Sequence, residues 1–322
     1  MREALFVKQN SERWKQYEHL QTNDPDIIAE QFIAITDDLA YAKTFFPNSK
    51  TIGYINKVAT GFHQSIYKNK KEKTGRFAKF WAVELPLLFY KHRTKLLYSF
   101  VFFIVFFLIG FCSAKYDHTF VRLIMGDKYV DMTLDNIAKG DPFGVYRKES
   151  EVPMFFAIAA NNLYVTVRCF ASGIFFSLGT LANLMYNGIM LGAFEYFFVD
   201  KGLGVQSVLV IFIHGTLEIS SIIIAGAAGL VMGNSFLFPK TFTRFVSLKQ
   251  GAVEGMKITL GILPIIVVAA IFESFVTRHT GMPIWLSISI LMGSAAFIAW
   301  YVILYPAHLT RKQQNLNLIH AA

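Results

Sequence analysis

At 322 residues the chain could hold about two ordinary domains, but its composition is not that of a soluble protein. Apolar residues make up 54% and charged residues 16%, against about 25% charged in a typical globular domain; 32 phenylalanines and a mean hydropathy of +0.41 point the same way. A soluble enzyme, a disordered chain and a disulfide scaffold are excluded, the last because both cysteines, Cys112 and Cys169, fall inside apolar runs. The net charge of +9 requires no nucleic acid, since the basic residues cluster beside those runs, where membrane orientation and contact with anionic lipid place them.

Residues 1–20 are polar and lack the apolar core of a signal sequence, so the expectation is a cytoplasmic start. Asp24 reads as a helix N-cap with Pro25 at the first helical position. Ile28, Phe32, Ile35, Leu39, Ala42 and Phe46 form one apolar stripe, and Pro47-Asn48 ends it. A second stripe runs through Ile52, Ile55, Ala59, Phe62 and Ile66. Two such helices should pack antiparallel, closed by the region of Trp14, as a helical bundle suited to docking or anchoring.

Lys68, Lys70, Lys71, Lys73, Arg76 and Lys79 oppose a single acid, Glu72. The aromatic stretch from Phe77 to Tyr90 follows, then Lys91-His92-Arg93. Such a segment suits an amphipathic helix in the headgroup layer, or a linker carrying an orientation signal.

Leu96–Ser113 is free of charge over a length close to the ~20 residues that cross a hydrocarbon layer. Continuing along the chain gives six expected spans: 95–114, 154–174, 176–198, 206–233, 258–277 and 284–305. The second and third come from one apolar stretch, Phe155–Phe198, broken only by Arg168 and Glu195, with Ser172-Gly173 as the turn. Six spans place the basic segments 60–95, 235–257 and the tail on the cytoplasmic side. The acidic loop 115–153, with Asp117, Asp127, Asp131, Asp135, Asp141, Glu149 and Glu151, then falls outside. Five spans would put one basic stretch on the wrong side. The expected organisation is an all-α polytopic membrane protein: a cytoplasmic helical domain with its interfacial helix at 1–94, a transmembrane domain at 95–305 (outer loop 115–153, cytoplasmic loop 235–257) and a cytoplasmic tail at 306–322.

Polar residues at membrane depth are costly and therefore candidate sites. Asn161, Asn162 and Arg168 fall in the second span, Glu195 in the third, His214 and Glu218 one turn apart in the fourth, and Glu273 near the outer end of the fifth. Counted inward from the outer ends, all but Arg168 land in the outer half. The chemistry open to such a cluster is interhelical polar glue, a binding or proton-handling site in a transporter, or hydrolysis. Hydrolysis is the poorest fit. The pair His214 and Glu218 is not the H-E-x-x-H of zinc proteases, no third ligand is obvious, and there is no phosphate loop or nucleophile elbow. No enzyme activity, cofactor or metal is expected. Gly188-x-x-x-Gly192 and Ala225-x-x-x-Gly229-x-x-x-Gly233 are close-packing seams. They are expected to support self-association, although such seams more often pack helices within one chain.

Several separated blocks resemble the stage II sporulation protein M family of bacterial membrane proteins. They are Phe155-Phe156 through Asn161-Asn162, Gly173, Gly179-Thr180, Asn187-Gly188 and Leu191-Gly192, then Ile213-His214-Gly215 to Glu218-Ile219 with Ala225 through Leu230, and finally Pro264 through Phe275. Asp37-Asp38-Leu39-Ala40 and Phe80-Trp81 with Leu85-Pro86 fit the family's cytoplasmic region less specifically. The resemblance implies a polytopic scaffold in the bacterial inner membrane that holds peptidoglycan-degrading partners. For relatives outside spore formers it implies a MoxR-type ATPase as neighbour. The long N-terminal segment and the acidic outer loop depart from the short family form and favour protein partners on both faces. The expected function is a non-enzymatic scaffold of an envelope-remodelling complex, in contact with membrane lipids. The alternative is a transporter using His214, Glu218 and Asn161–Asn162.

Overall fold

The computed structural model describes residues 2–19, 24–68, 75–144, 150–278 and 282–321. Lys70, Lys71, Glu72 and Lys73 of the basic run, and Glu149 of the acidic stretch, lie outside the described residues. Those described are all-helical, with no strand among them. They form two compact units, Met1–Arg76 and Phe77–Ala322.

The first unit comprises α1 (Glu3–His19), α2 (Pro25–Phe45) and α3 (Lys50–Lys68). Asp24 caps α2, its side chain accepting from the Asp26 N–H at 3.0 Å, and Pro25 occupies the first turn. The apolar stripes converge on one core: Ile28, Ile35, Leu39 and Ala42 from α2, Ile55, Val58, Ala59 and Phe62 from α3, and Phe6 and Trp14 from α1. Trp14 is its largest member, and its Nε1 donates to Asp38 Oδ2 at 2.7 Å.

The second unit begins within α4 (Arg76–Lys79), which is followed by a π-helical turn (Phe80–Glu84) and α5 (Leu85–Lys91). This aromatic segment does more than border the membrane. Leu85 and Phe89 are fully buried among residues of the later helices. The widened turn frees backbone carbonyls, and Tyr301 and Tyr305 donate to those of Trp81 and Ala82 at 2.7 and 2.8 Å. The 1–94 domain of the sequence reading therefore ends earlier, and residues 77–94 belong to the body that follows.

That body contains α6 (Arg93–Tyr116), α7 (His118–Met125), α8 (Asp127–Ala138), α9 (Glu151–Ala171), α10 (Leu178–Asp200), α11 (Gly204–Leu237), α12 (Arg244–Gly261), α13 (Leu263–Ile271), α14 (Ile284–Ala299) and α15 (Tyr305–Ala321). Five described helical segments are long and apolar enough to cross a membrane: Arg93–Tyr116, Glu151–Ile174, Gly204–Leu237, Arg244–Thr277 and Ile284–Asn315. The expected third span corresponds to α10, which has 23 residues but carries Asn183, Asn187 and Glu195 and is not among the five.

Helix α11 is the axis. It has 34 residues, spans about 51 Å at 1.5 Å per residue, and packs against α6, α9, α10, α12, α13 and α14. Its small residues allow this approach. A Cβ on Gly229 would meet Thr180 Oγ1 and Cys169 O, and one on Gly233 would meet the Ser177 backbone. Helices α6 and α10 run parallel in equally close contact. A Cβ on Gly188 would stand 2.9 Å from Phe103 O, and one on Gly192 would strike Phe107 O, one turn further along both helices. Gly188, Gly192, Gly229 and Gly233 are thus consumed within one chain, so they supply no seam for the expected self-association.

Two further expectations change. Residues 235–257 are not a loop: only 238–243 separate α11 from α12, and Gly251 and Gly255 pack α12 on α11 and its neighbours. The acidic stretch contains α7 and α8, the former capped by Asp117. The Thr119 hydroxyl and backbone N–H hold the Asp117 carboxyl below the usual carboxylate range. Val121, Val130 and Phe143 of this stretch share a core with Phe197 and Phe198 of α10.

Candidate intramembrane polar site

His214 and Glu218 lie four residues apart on α11, so they project from one side of it, a third to a half of the way along. Glu273 comes to them from a π-helical turn, Phe272–Thr277, that ends the span begun by α12. Such turns redirect side chains that an α-helical register would aim elsewhere, and they recur at functional sites. Here the turn brings two groups to one histidine. Thr277 Oγ1 lies 3.0 Å from His214 Nδ1, and Glu273 Oε2 lies 3.8 Å from His214 Nε2. One ligand atom from each of His214, Glu218 and Glu273 can be chosen so that all three lie within 4.8 Å of one another. The sequence shows no obvious third ligand beside His214 and Glu218; in the fold Glu273, from a helix far away in sequence, brings a third ligand-type group alongside them.

The surroundings are closed on several sides. Asn162 of α9 is 5% exposed and faces Glu218, and its Nδ2 makes no hydrogen bond of ordinary geometry. Asn161 donates to Asn162 Oδ1 at 3.4 Å, but its own side chain looks outward. A cavity of about 400 Å³ reaches His214 and Glu218 between Phe103, Asn187, Met190 and Tyr129. Burial pushes the Tyr129 phenol above its ordinary value, and the charge of nearby Glu273 adds to that push. Helix α8, from the stretch the sequence marks as an acidic outer loop, thus forms part of the wall.

Two of the expected cluster members stand elsewhere. Arg168 is exposed toward the other end of α9. Glu195 is buried, with Oε2 accepting from Ser207 Oγ at 3.1 Å and Oε1 without a hydrogen bond. Ser207 lies seven residues before His214 on α11, a rise of about 10 Å, so Glu195 is a separate site. Thr277 and Tyr129 join the site without being among the residues the sequence singles out. Thr277 had a signal, since it follows Glu273 at the same four-residue interval that joins His214 to Glu218; Tyr129 had none, because its stretch reads as loop.

Two carboxylates and an imidazole this close serve as glue only where something offsets the like charges. Glue requires each polar group to be matched, whereas like charges held together away from water repel. The arrangement suits a cation or a shared proton between Glu218 and Glu273.

A family model described as Stage II sporulation protein M matches residues 99–278. The chain belongs to that family. The matched region runs from α6 to the turn after Glu273, so the whole candidate site lies inside the Stage II sporulation protein M portion. Family membership and the five apolar segments make this a membrane protein. A second model, a domain of unknown function (DUF8413), matches residues 4–68 and so covers α1 to α3. No curated protein and no solved structure matches the chain.

Proposed function

We propose that this protein is a non-enzymatic scaffold of the bacterial inner membrane, organising an envelope-remodelling, peptidoglycan-related complex. The observation that carries this is modular. Residues 4–68 match a family model of their own and fold around their own core, joined to a Stage II sporulation protein M body. A small helical module attached to a membrane body suits holding a partner. The partners proposed are peptidoglycan-active enzymes or a MoxR-type ATPase, on chemistry inherited from the family resemblance.

The topology proposed has six spans, both termini in the cytoplasm, and α7–α8 outside. Its support is geometric. Parallel α6 and α10 in register contact need an antiparallel crossing between them, which α9 supplies. Lys95 at the start of α6 donates to Asn234 at the end of α11 at 2.8 Å, and Arg278 pairs with Glu151 at the start of α9 at 3.6 Å. These contacts set the ends of up and down helices at matching levels. The polar residues of α10 need not face lipid, since Glu195 is buried.

A second reading, a transporter, is favoured by the cavity beside His214 and Glu218. Glu218→Gln separates the two. On the scaffold reading, the variant in sealed vesicles moves small cations and protons at the wild-type rate, while partner recovery or folding changes. Loss of a measurable wild-type flux in a folded Glu218→Gln protein would replace the scaffold reading with transport.

A further inference from the structure

We infer that His214, Glu218, Glu273 and Asn162 form a binding site for one divalent transition-metal ion of the zinc or manganese class. The inference is independent of the scaffold reading, because such an ion serves a structural role as well as a transported one. The donor set is one imidazole nitrogen and two carboxylates within 4.8 Å of one another. Mixed nitrogen and oxygen donors of this kind suit Zn²⁺, Mn²⁺ or Fe²⁺ rather than Mg²⁺ or Ca²⁺, which prefer oxygen alone, or Cu⁺, which prefers sulfur.

The imidazole is oriented as metal-bound histidines are. Nδ1 engages Thr277 Oγ1 at 3.0 Å, which turns Nε2 toward Glu273. Around a tetrahedral ion with bonds near 2.1 Å, ligand atoms lie roughly 3.4 Å apart. Binding requires the two glutamate side chains to draw in from the present limit of 4.8 Å toward that spacing.

Asn162 is the independent pointer. It is 5% exposed and faces Glu218, and its Nδ2 meets no acceptor at ordinary hydrogen-bond geometry. A buried amide donor left without a well-formed bond recovers only part of the hydration it loses. Turned about its Cβ–Cγ bond, the same amide gives up the long 3.4 Å contact that Oδ1 accepts from Asn161 and presents its carbonyl oxygen to the site as a fourth ligand. The cation would then neutralise the facing carboxylates and complete a one-nitrogen, three-oxygen shell.

The test uses the full-length protein in mild detergent, stripped with chelator, equilibrated with ZnCl₂ or MnCl₂, and desalted before metal analysis. The wild type should retain close to one equivalent and gain thermal stability from the ion. Glu273→Gln and Glu218→Gln should each lose affinity by about tenfold or more, whereas Glu195→Gln, altering the separate buried carboxylate, should bind as wild type. Retention of neither ion by the wild type, or equal retention by Glu273→Gln, would overturn the inference and leave a proton shared between the glutamates. Should the glutamine variants fail to fold, Co²⁺ added to the wild type decides. Visible bands of a low-symmetry nitrogen–oxygen site support the inference, and the spectrum of free aqueous Co²⁺ refutes it.

Discussion

Gly192→Leu is expected to remove the folded membrane body from detergent extracts, while Gly293→Leu leaves it intact. Both glycines lie in apolar helices, yet their surroundings differ. A Cβ on Gly192 would strike Phe107 O and come within 2.7 Å of Phe111 N, both backbone atoms of α6, whereas nothing lies within 4 Å of a Cβ on Gly293. Overpacking against side chains costs about 1–3 kcal/mol because rotamers can yield. Backbone cannot yield without moving a whole helix, and α6 also carries Gly110, whose Cβ would meet the Ile189 backbone from the opposite side of the same contact. The cost should therefore exceed that range. Size-exclusion profiles of the two variants measure it, and equal profiles would mean that α6 and α10 are not in contact.

Trp14→Ala should unfold the N-terminal unit and leave the membrane body standing. Removing a buried Trp costs about 3–5 kcal/mol. The 76 residues of this unit have an expected stability of only about 4–11 kcal/mol by the usual per-residue range. The indole is 1% exposed, packs edge-on to Phe6 with ring centres 5.5 Å apart, and donates to Asp38. The substitution therefore opens a cavity and takes a partner from a carboxylate that is only 14% exposed. Trp14→Phe keeps most of the volume and loses one hydrogen bond, worth about 1–3 kcal/mol to a charged acceptor; it should stay folded. Limited proteolysis of the full chain reads both outcomes, with cleavage confined to residues 2–68 in the alanine variant. A protected Trp14→Ala chain would contradict the core described for α1–α3.

Much of this architecture is legible in the sequence where local rules act alone. Asp24 and Pro25 start α2 because capping is decided within one turn, and the stripes of α2 and α3 face their core because helical period and burial agree. The legible part ends where tertiary contacts override composition. Helix α10, expected as the third span, falls outside the five long apolar helices because Asn183, Asn187 and Glu195 lower its hydropathy, although Asn183 bonds Ser172 and Glu195 is buried. Residues 244–257 look like a charged loop, yet Gly251-x-x-x-Gly255 leading to Ile258 was a seam in plain view, and it seats α12. In the aromatic segment, Trp81 Nε1 donates at 2.9 Å to Gly261 O, a carbonyl released because the Ile265 N–H bonds to Ile262 O near Pro264. No reading of either segment alone predicts that contact.

The candidate site shows the same boundary. His214 and Glu218 are found by their four-residue spacing, and Glu273 by its depth near the outer end of its span. Their convergence depends on a π-helical turn, which adds one residue to a helical turn and rotates all that follows. Arg168 shares a helix with Asn162 but not its environment, because depth along a span fixes height and leaves the facing direction open.

The most direct test of the scaffold reading is isolation of the tagged full-length protein from native membranes in mild detergent, with mass spectrometry of whatever accompanies it. The predicted result is an envelope enzyme or an ATPase recovered in fixed ratio to the chain, and lost from the Trp14→Ala protein while the membrane body remains. Recovery of the chain by itself, alike in wild type and Trp14→Ala, would contradict the scaffold and shift the account to the polar site of α11.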